Sequence, residues 1–192
     1  VKRPVRSIFR SGNCWKMWQK NSRKEMNKMK TSKQVLVIEG SPRKHGNTGL
    51  LSDEFIKGAE EAGHATEKIY LSEKNIGYCV DCEVCQTEGG GCAKKDDFQE
   101  IKDKIAACDV LVLVSPVYYY SVTAQLKTLI DRTYSALTEI SGKECYLIIA
   151  GAGDQEKYFQ TIIDTYHGFI GCFSDMKDKV IILGLGAQAK GA

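Results

Sequence analysis

At 192 residues the chain suits one α/β domain with a substantial core. No uninterrupted apolar stretch approaches a membrane span, so a soluble protein with no membrane partner is expected. The net charge of +3 hides two opposed parts: residues 1–30 hold ten Lys or Arg against Glu25 alone, +9, whereas residues 31–192 hold seventeen basic and twenty-three acidic residues, −6. A mildly acidic body argues against nucleic acid as its partner.

In chain order, the basic leader over 1–32 has no convincing core pattern, although Trp15, Met17 and Trp18 are apolar. An organelle-targeting sequence, a nucleic-acid-binding arm, or vector or upstream sequence translated ahead of Met26 or Met29 would each read this way. The last is preferred, because Met29-Lys30-Thr31-Ser32-Lys33 leads straight into the first strand pattern. The leader lacks the apolar centre of a secretory signal, so a cytoplasmic location is expected. The leader is therefore set apart as disordered or non-native, and the folded domain is placed at 33–192.

Residues 34–40 predict a buried strand. A helix follows over 47–62, with Leu50, Leu51, Phe55, Ile56 and Ala59 on one face and Gly63 as its stop. Between them lies Gly40-Ser41-Pro42-Arg43-Lys44-His45-Gly46-Asn47-Thr48. A strand, a loop of small and hydroxyl residues, and a helix N-terminus together make an anion site, because free N–H groups and the positive helix end converge there. Ser41, Asn47 and Thr48 add donors, Arg43 adds charge, and Gly46 allows close approach. The loop lacks both the Gly-Lys-Ser/Thr ending of a Walker loop and three spaced dinucleotide glycines. A monophosphate at the first strand–helix junction is the flavodoxin-like arrangement, with flavin mononucleotide (FMN) at the switch point of the sheet. A capped helix without a ligand is the plain alternative.

Residues 65–71 predict a second strand, followed by a cysteine-rich loop to about residue 95 that is too long and polar for an ordinary connection. Cys79, Cys82, Cys85 and Cys92 sit on it, with Gly89-Gly90-Gly91 giving the freedom to fold back. Four thiolates suit zinc or an iron–sulfur cluster. Asp96-Asp97 is expected to cap a helix through Ala107, and 109–114 reads as a central strand covered on both faces. The strand end Ser115-Pro116-Val117-Tyr118-Tyr119-Tyr120-Ser121 offers flat surfaces to a planar ring. A helix over 122–139 and a strand over 143–151 follow. The next loop, Gly151-Ala152-Gly153-Asp154, would bring a third small-residue segment to the same edge. A helix over 156–168 and a strand over 178–184 complete the pattern. Cys108, Cys145 and Cys172 are expected in the core.

The alternation implies a doubly wound, five-stranded parallel sheet with right-handed crossovers. Only four helices are visible, so the final helix is expected to be missing through C-terminal truncation.

These motifs resemble the NADPH-dependent FMN reductase family of flavodoxin-like proteins, and especially its iron–sulfur flavoprotein branch. The resemblance covers roughly residues 34–187. It rests on Gly40–Thr48, on the cysteine loop ending in Asp96-Asp97, and on Ser115-Pro-Val-Tyr118 followed by Gln125-Leu-Lys127 and Asp131-Arg132. It implies strand order 2-1-3-4-5, FMN phosphate held by Ser41, Arg43, Asn47 and Thr48, and the ring held by Pro116–Ser121 and Gly151–Asp154. Lys127, Asp131 and Arg132 are expected to be structural. It implies an oxidoreductase passing electrons from NAD(P)H or a protein donor to a small-molecule acceptor or redox protein, with flavin N5 rather than a catalytic side chain carrying the chemistry. It also implies a [4Fe-4S] cluster on Cys79, Cys82, Cys85 and Cys92 in preference to zinc, free thiols lining the loop in cluster-free relatives, and a homo-oligomer. A non-catalytic electron carrier is the rival reading.

Overall fold

The computed structural model describes residues 32–87 and 91–189. The expected leader, apart from Ser32, and Gly89-Gly90 lie outside the described residues. Five parallel strands form one sheet: β1 (Gln34–Glu39), β2 (Ala65–Tyr70), β3 (Val110–Pro116), β4 (Glu144–Ala150) and β5 (Lys177–Gly184), in the order β2-β1-β3-β4-β5. Four helices connect them: α1 (Asn47–Glu61), α2 (Phe98–Ala107), α3 (Ala124–Arg132) and α4 (Gln160–Gly171). The predicted order is the one observed, and its reversal between β1 and β3 leaves a crevice at the carboxyl ends of those strands.

Strand periodicity explains the two layers. Alternate side chains of a strand point to opposite faces. Val35, Val37, Val110, Val112 and Val114 meet Leu51, Phe55, Ile56 and Ala59 of α1. Leu36, Ile38, Leu111, Leu113, Leu147 and Ile149 meet Ile101 and Ile105 of α2, Leu126 and Leu129 of α3, and Ile162 and Tyr166 of α4. Both layers exclude water, each fully buried Leu or Ile contributing ~1.5–3 kcal/mol. Leu50, expected on the apolar face of α1, is instead 49% exposed. Among the described residues one helix covers the first face and three cover the second; on β5, Val180 is 49% exposed.

Several boundaries moved for local reasons. The 122–139 pattern opens later, because Thr123 is the N-cap and its hydroxyl accepts the Leu126 N–H at 3.4 Å. It then tightens into a 3₁₀ turn over Thr133–Ala136. The 156–168 pattern divides into a 3₁₀ turn over Glu156–Phe159 and the longer α4. Gly63 ends α1 as expected, at φ +86°, with its N–H on Glu60 O and that of His64 on Ala59 O. Cys108 and Cys145 are buried, but Cys172 is exposed, because it lies just past the end of α4.

Candidate functional site

The site begins where β1 ends. Gly40 N–H donates to Val114 O at 2.8 Å and Thr123 Oγ1–H donates to Gly40 O at 2.7 Å, so the first loop is bound to the third strand and to the start of α3. A side chain at Gly40 would put Cβ 2.9 Å from Leu126 Cβ, which accounts for glycine there. The chain then turns through Ser41, whose Oγ accepts Arg43 N–H and donates to Arg43 O, both at 3.1 Å. At the start of α1 the N-cap is Gly46, with no side-chain cap. A glycine at this position brings no side chain of its own to the helix N-terminus.

Above this loop lies a cleft of about 560 Å³, within the ordinary range of ligand pockets. Ser41, Arg43, Gly46, Asn47 and Thr48 line one end, and Pro116, Val117, Tyr118, Gly151 and Ala152 line the other. The first and second predicted loops, and the start of the third, thus meet at one cavity. Tyr119, Tyr120 and Gly153 line an adjoining cleft of about 360 Å³, which shares Val117, Gly151 and Ala152 with the first and adds Tyr158 and Phe159. Ser121 lines neither; it closes a two-residue hairpin, exchanging N–H···O bonds of 3.0 Å with Tyr118. Asp154 also lines neither cleft.

Individual roles differ from a simple list of donors. Ser41 and Thr48 are 4% and 2% exposed, and the Thr48 hydroxyl donates to Glu39 Oε1 at 2.9 Å. Asn47 Nδ2 donates to Ala189 O at 2.7 Å. Arg43 and His45 are exposed at the rim, and the Arg43 guanidinium supplies positive charge there.

Two contributors were not foreseen. The segment after β5 folds across the cleft: Gly186 N–H donates to Gly153 O at 2.7 Å and Ala187 N–H to Gly151 O at 2.8 Å, which brings Ala187, Gln188 and Ala189 to the cavity wall. Glu39 is the other, a fully buried carboxylate directly under the loop. Its pKa is raised by burial against the lowering effect of hydrogen bonds from Thr48, Ser52 and Ser41 and of the Lys68 charge. A position series of Val35, Val37, Glu39 facing α1, with Thr48 and Ser52 four residues apart on that helix, was the available signal.

The four loop cysteines line a separate cleft with Arg132, Asp131 and Lys94. Cys79 and Cys82 are exposed, while Cys85 and Cys92 are half-buried. Among the described residues no three Cys, His, Asp or Glu side chains stand close enough to hold a metal ion. The base of the loop is firmly tied. Arg132, 2% exposed, donates to Gly77 O at 2.6 Å and to both oxygens of Asp96 at 2.7 and 3.1 Å, while its guanidinium stacks on Phe98 at 4.6 Å. Asp96 also accepts Gly77 N–H at 2.9 Å, and Asp97 accepts Asn75 N–H at 2.7 Å.

Of the predicted cap pair, Asp96 Oδ1 accepts the Phe98 N–H at the helix start at 3.2 Å, whereas Asp97 makes no side-chain cap bond, because its carboxylate faces the loop stem. Burial would raise the Asp96 pKa, but Arg132 and the amides of Gly77 and Phe98 hold it below the ordinary value of 3.8. Burial likewise opposes the Arg132 charge, which Asp96 and the neighbouring Cys92 sustain.

Residues 34–161 match the model of the family described as NADPH-dependent FMN reductase. The chain is 40% identical over 124 residues to an iron–sulfur flavoprotein of Archaeoglobus fulgidus, a match covering 62% of this chain and 56% of that protein. It is 32% identical to an iron–sulfur flavoprotein of Methanosarcina thermophila, over 69% of this chain and 72% of that one. The chain thus spans little more than half the length of the first of these relatives. Among solved structures, an NAD(P)H:quinone oxidoreductase of Methanothermobacter marburgensis superposes with a TM-score of 0.68 at 18% identity, over 84% of this chain and 87% of that one. At that identity the likeness is one of fold.

Proposed function

The chain belongs to the NADPH-dependent FMN reductase family, and from that premise we propose that it is an FMN-dependent oxidoreductase passing electrons from NAD(P)H or a protein donor to a small acceptor. The observation that carries the reading is the cleft at the β1/β3 switch point, with a glycine-capped helix N-terminus at one end and small or flat residues at the other. That arrangement fits a phosphate joined to a planar ring. The amides at the start of α1, with Arg43, would hold the phosphate. Pro116–Tyr118 and Gly151–Ala152 would hold the ring, and the 187–189 segment would close over the cleft.

Bound FMN supplies the hydride- and electron-accepting centre, so no protein nucleophile is needed. The chain's part is to fix the ring, exclude water from its buried side and leave one face open to donor and acceptor. The adjoining cleft at Tyr119, Tyr120 and Tyr158 is open to a flat acceptor.

The cysteines fit a [4Fe-4S] cluster in their donor chemistry, since four thiols line one cleft. The four side chains are not gathered into one metal-binding group among the described residues, so holding a cluster would require the loop to draw together around it. Cys79, Cys82, Cys85 and Cys92 would hold the cluster, which would supply one-electron transfer to a redox partner. Anaerobic purification with iron, sulfide and zinc analysis, followed by NADPH and NADH oxidation assays, tests this reading. Iron and sulfide at four per chain are expected, with steady NAD(P)H oxidation. Stoichiometric zinc without iron would remove the cluster, and a flavin reduced only by protein donors would leave an electron carrier.

A further inference from the structure

The carboxylate under the anion loop has no part in the reading above. Glu39 is 0% exposed, and Val114, its neighbour on β3, brings no charge. Its Oε1 accepts Ser41 N–H at 3.2 Å and Thr48 Oγ1–H at 2.9 Å, and its Oε2 lies 3.1 Å from Ser52 Oγ. From β2, Lys68 Nζ stands 4.0 Å from Oε2 and donates to Ser52 Oγ and Asp53 Oδ1, each at 2.7 Å. On the cleft side the titratable and charged groups are His45, Arg43 and Tyr118. A fully buried carboxyl group thus sits below the place where the family premise puts a phosphate.

We propose that FMN binding at the Gly40–Thr48 loop is coupled to uptake of a proton by Glu39. The inference rests on the FMN reading above. Two anions sharing a low-dielectric site disfavour each other's charge, and the carboxylate is the one that can be neutralised.

The surrounding hydrogen bonds accept both states without rearrangement. With Glu39 ionised, the Ser52 hydroxyl donates to Oε2. With Glu39 protonated, Oε2–H donates to Ser52 Oγ, and Ser52 turns its own hydrogen to Gly49 O, 3.0 Å away. The second lone pair of Ser52 Oγ still receives Lys68. Oε1 keeps its bonds from Ser41 and Thr48 throughout, so the loop holds its shape while the charge beneath it disappears. The proton comes from solvent and returns when FMN leaves. Burial, which already raises the Glu39 pKa, prepares the site for this exchange.

The test dilutes the holoprotein and reads released FMN by fluorescence from about pH 6 to about pH 9, for wild type and Glu39→Gln. Ionisation of the FMN phosphate, near pH 6, is common to both proteins and cancels in their ratio. The ratio of Kd in wild type to Kd in the variant should climb with pH, by up to about tenfold per unit. Parallel profiles would overturn the proposal.

A second measurement needs no substitution at Glu39. Wild-type apoprotein mixed with FMN in weak buffer at about pH 8, where the phosphate is a dianion, should take up protons; riboflavin, lacking the phosphate, should not. Equal uptake with both, or loss of uptake in His45→Gln, would overturn it. Binding of FMN without proton uptake removes this inference alone, whereas failure to bind FMN at any pH removes the flavin reading as well.

Discussion

At the residue scale, the pair Asp96–Arg132 shows how one buried ion pair positions a whole loop. Asp96 follows Cys92 and Gly77 precedes Cys79, and the guanidinium of Arg132 grips both. Arg132→Met leaves the Asp96 carboxylate without its charge partner, and should cost about 3 kcal/mol of unfolding free energy, measurable in urea. The pH dependence has a definite sign. A folded-state pKa held below 3.8 means that Asp96 contributes stability above that pH and loses it as acid is added through the lowered value. Asp96→Asn should therefore flatten the fall in stability below about pH 4.

Tyr119 and Tyr120 make a complementary case. Both central residues of the hairpin turn have positive φ, +48° and +62°, where Asn-Gly is the usual choice. The two residues are 101% and 57% exposed, so packing does not compensate for the strain. Tyr119→Gly should stabilise the fold by about 1 kcal/mol. If the ring serves an acceptor, the same change should raise KM for flat acceptors severalfold, with melting temperature and turnover read on one preparation.

At the element scale, the phosphate loop and α1 act together. Gly49, in the first turn, approaches the backbone of Lys44 so closely that an added Cβ would stand 2.6 Å from Lys44 O. Gly49→Ala must push the loop away from the helix, with an expected loss of about 1–3 kcal/mol and of more than about tenfold in FMN affinity, since each 1.4 kcal/mol is tenfold. Fluorescence titration with FMN measures this.

The loop was legible because strand, small residues and helix start are contiguous in sequence, and the ring-side loops because they end strands of the same type. Glu39 was not: the 34–40 pattern puts it in a buried strand but does not report what its carboxyl group meets. The alternation Val35, Val37, Glu39 gives its face, and the structure adds its partners, the hydroxyls of Thr48 and Ser52. The Asp96–Arg132 tie joins residues 36 positions apart, and no local pattern reports such a contact. Asp96-Asp97 ahead of a helix reads as a cap, and Asp96 does accept the Phe98 N–H; its further bonds to Arg132 and Gly77, and that of Asp97 to Asn75, are to residues distant in the chain. The 187–189 wall was hidden because its role comes from backbone bonds to Gly151 and Gly153, which side-chain pattern does not encode.

At the scale of the whole molecule, the sheet order brings three strand ends and the segment after β5 to one edge, while the cysteine cleft is built from the long β2–α2 connection and the end of α3. The two sites have separate supports. Removing the thiols by Cys79→Ser and Cys82→Ser should therefore abolish iron binding and leave FMN content within about twofold, less than 0.5 kcal/mol of binding free energy. Among the described residues no helix is long and apolar enough to cross a membrane. The central claim is that the switch-point cleft holds FMN. Its most direct test is acid extraction of the purified chain, with chromatographic identification of the released flavin and its ratio to protein. FMN approaching one per chain is expected, sharply reduced in Gly49→Ala; a colourless wild-type protein that releases no flavin and binds none on titration would contradict FMN binding at this cleft.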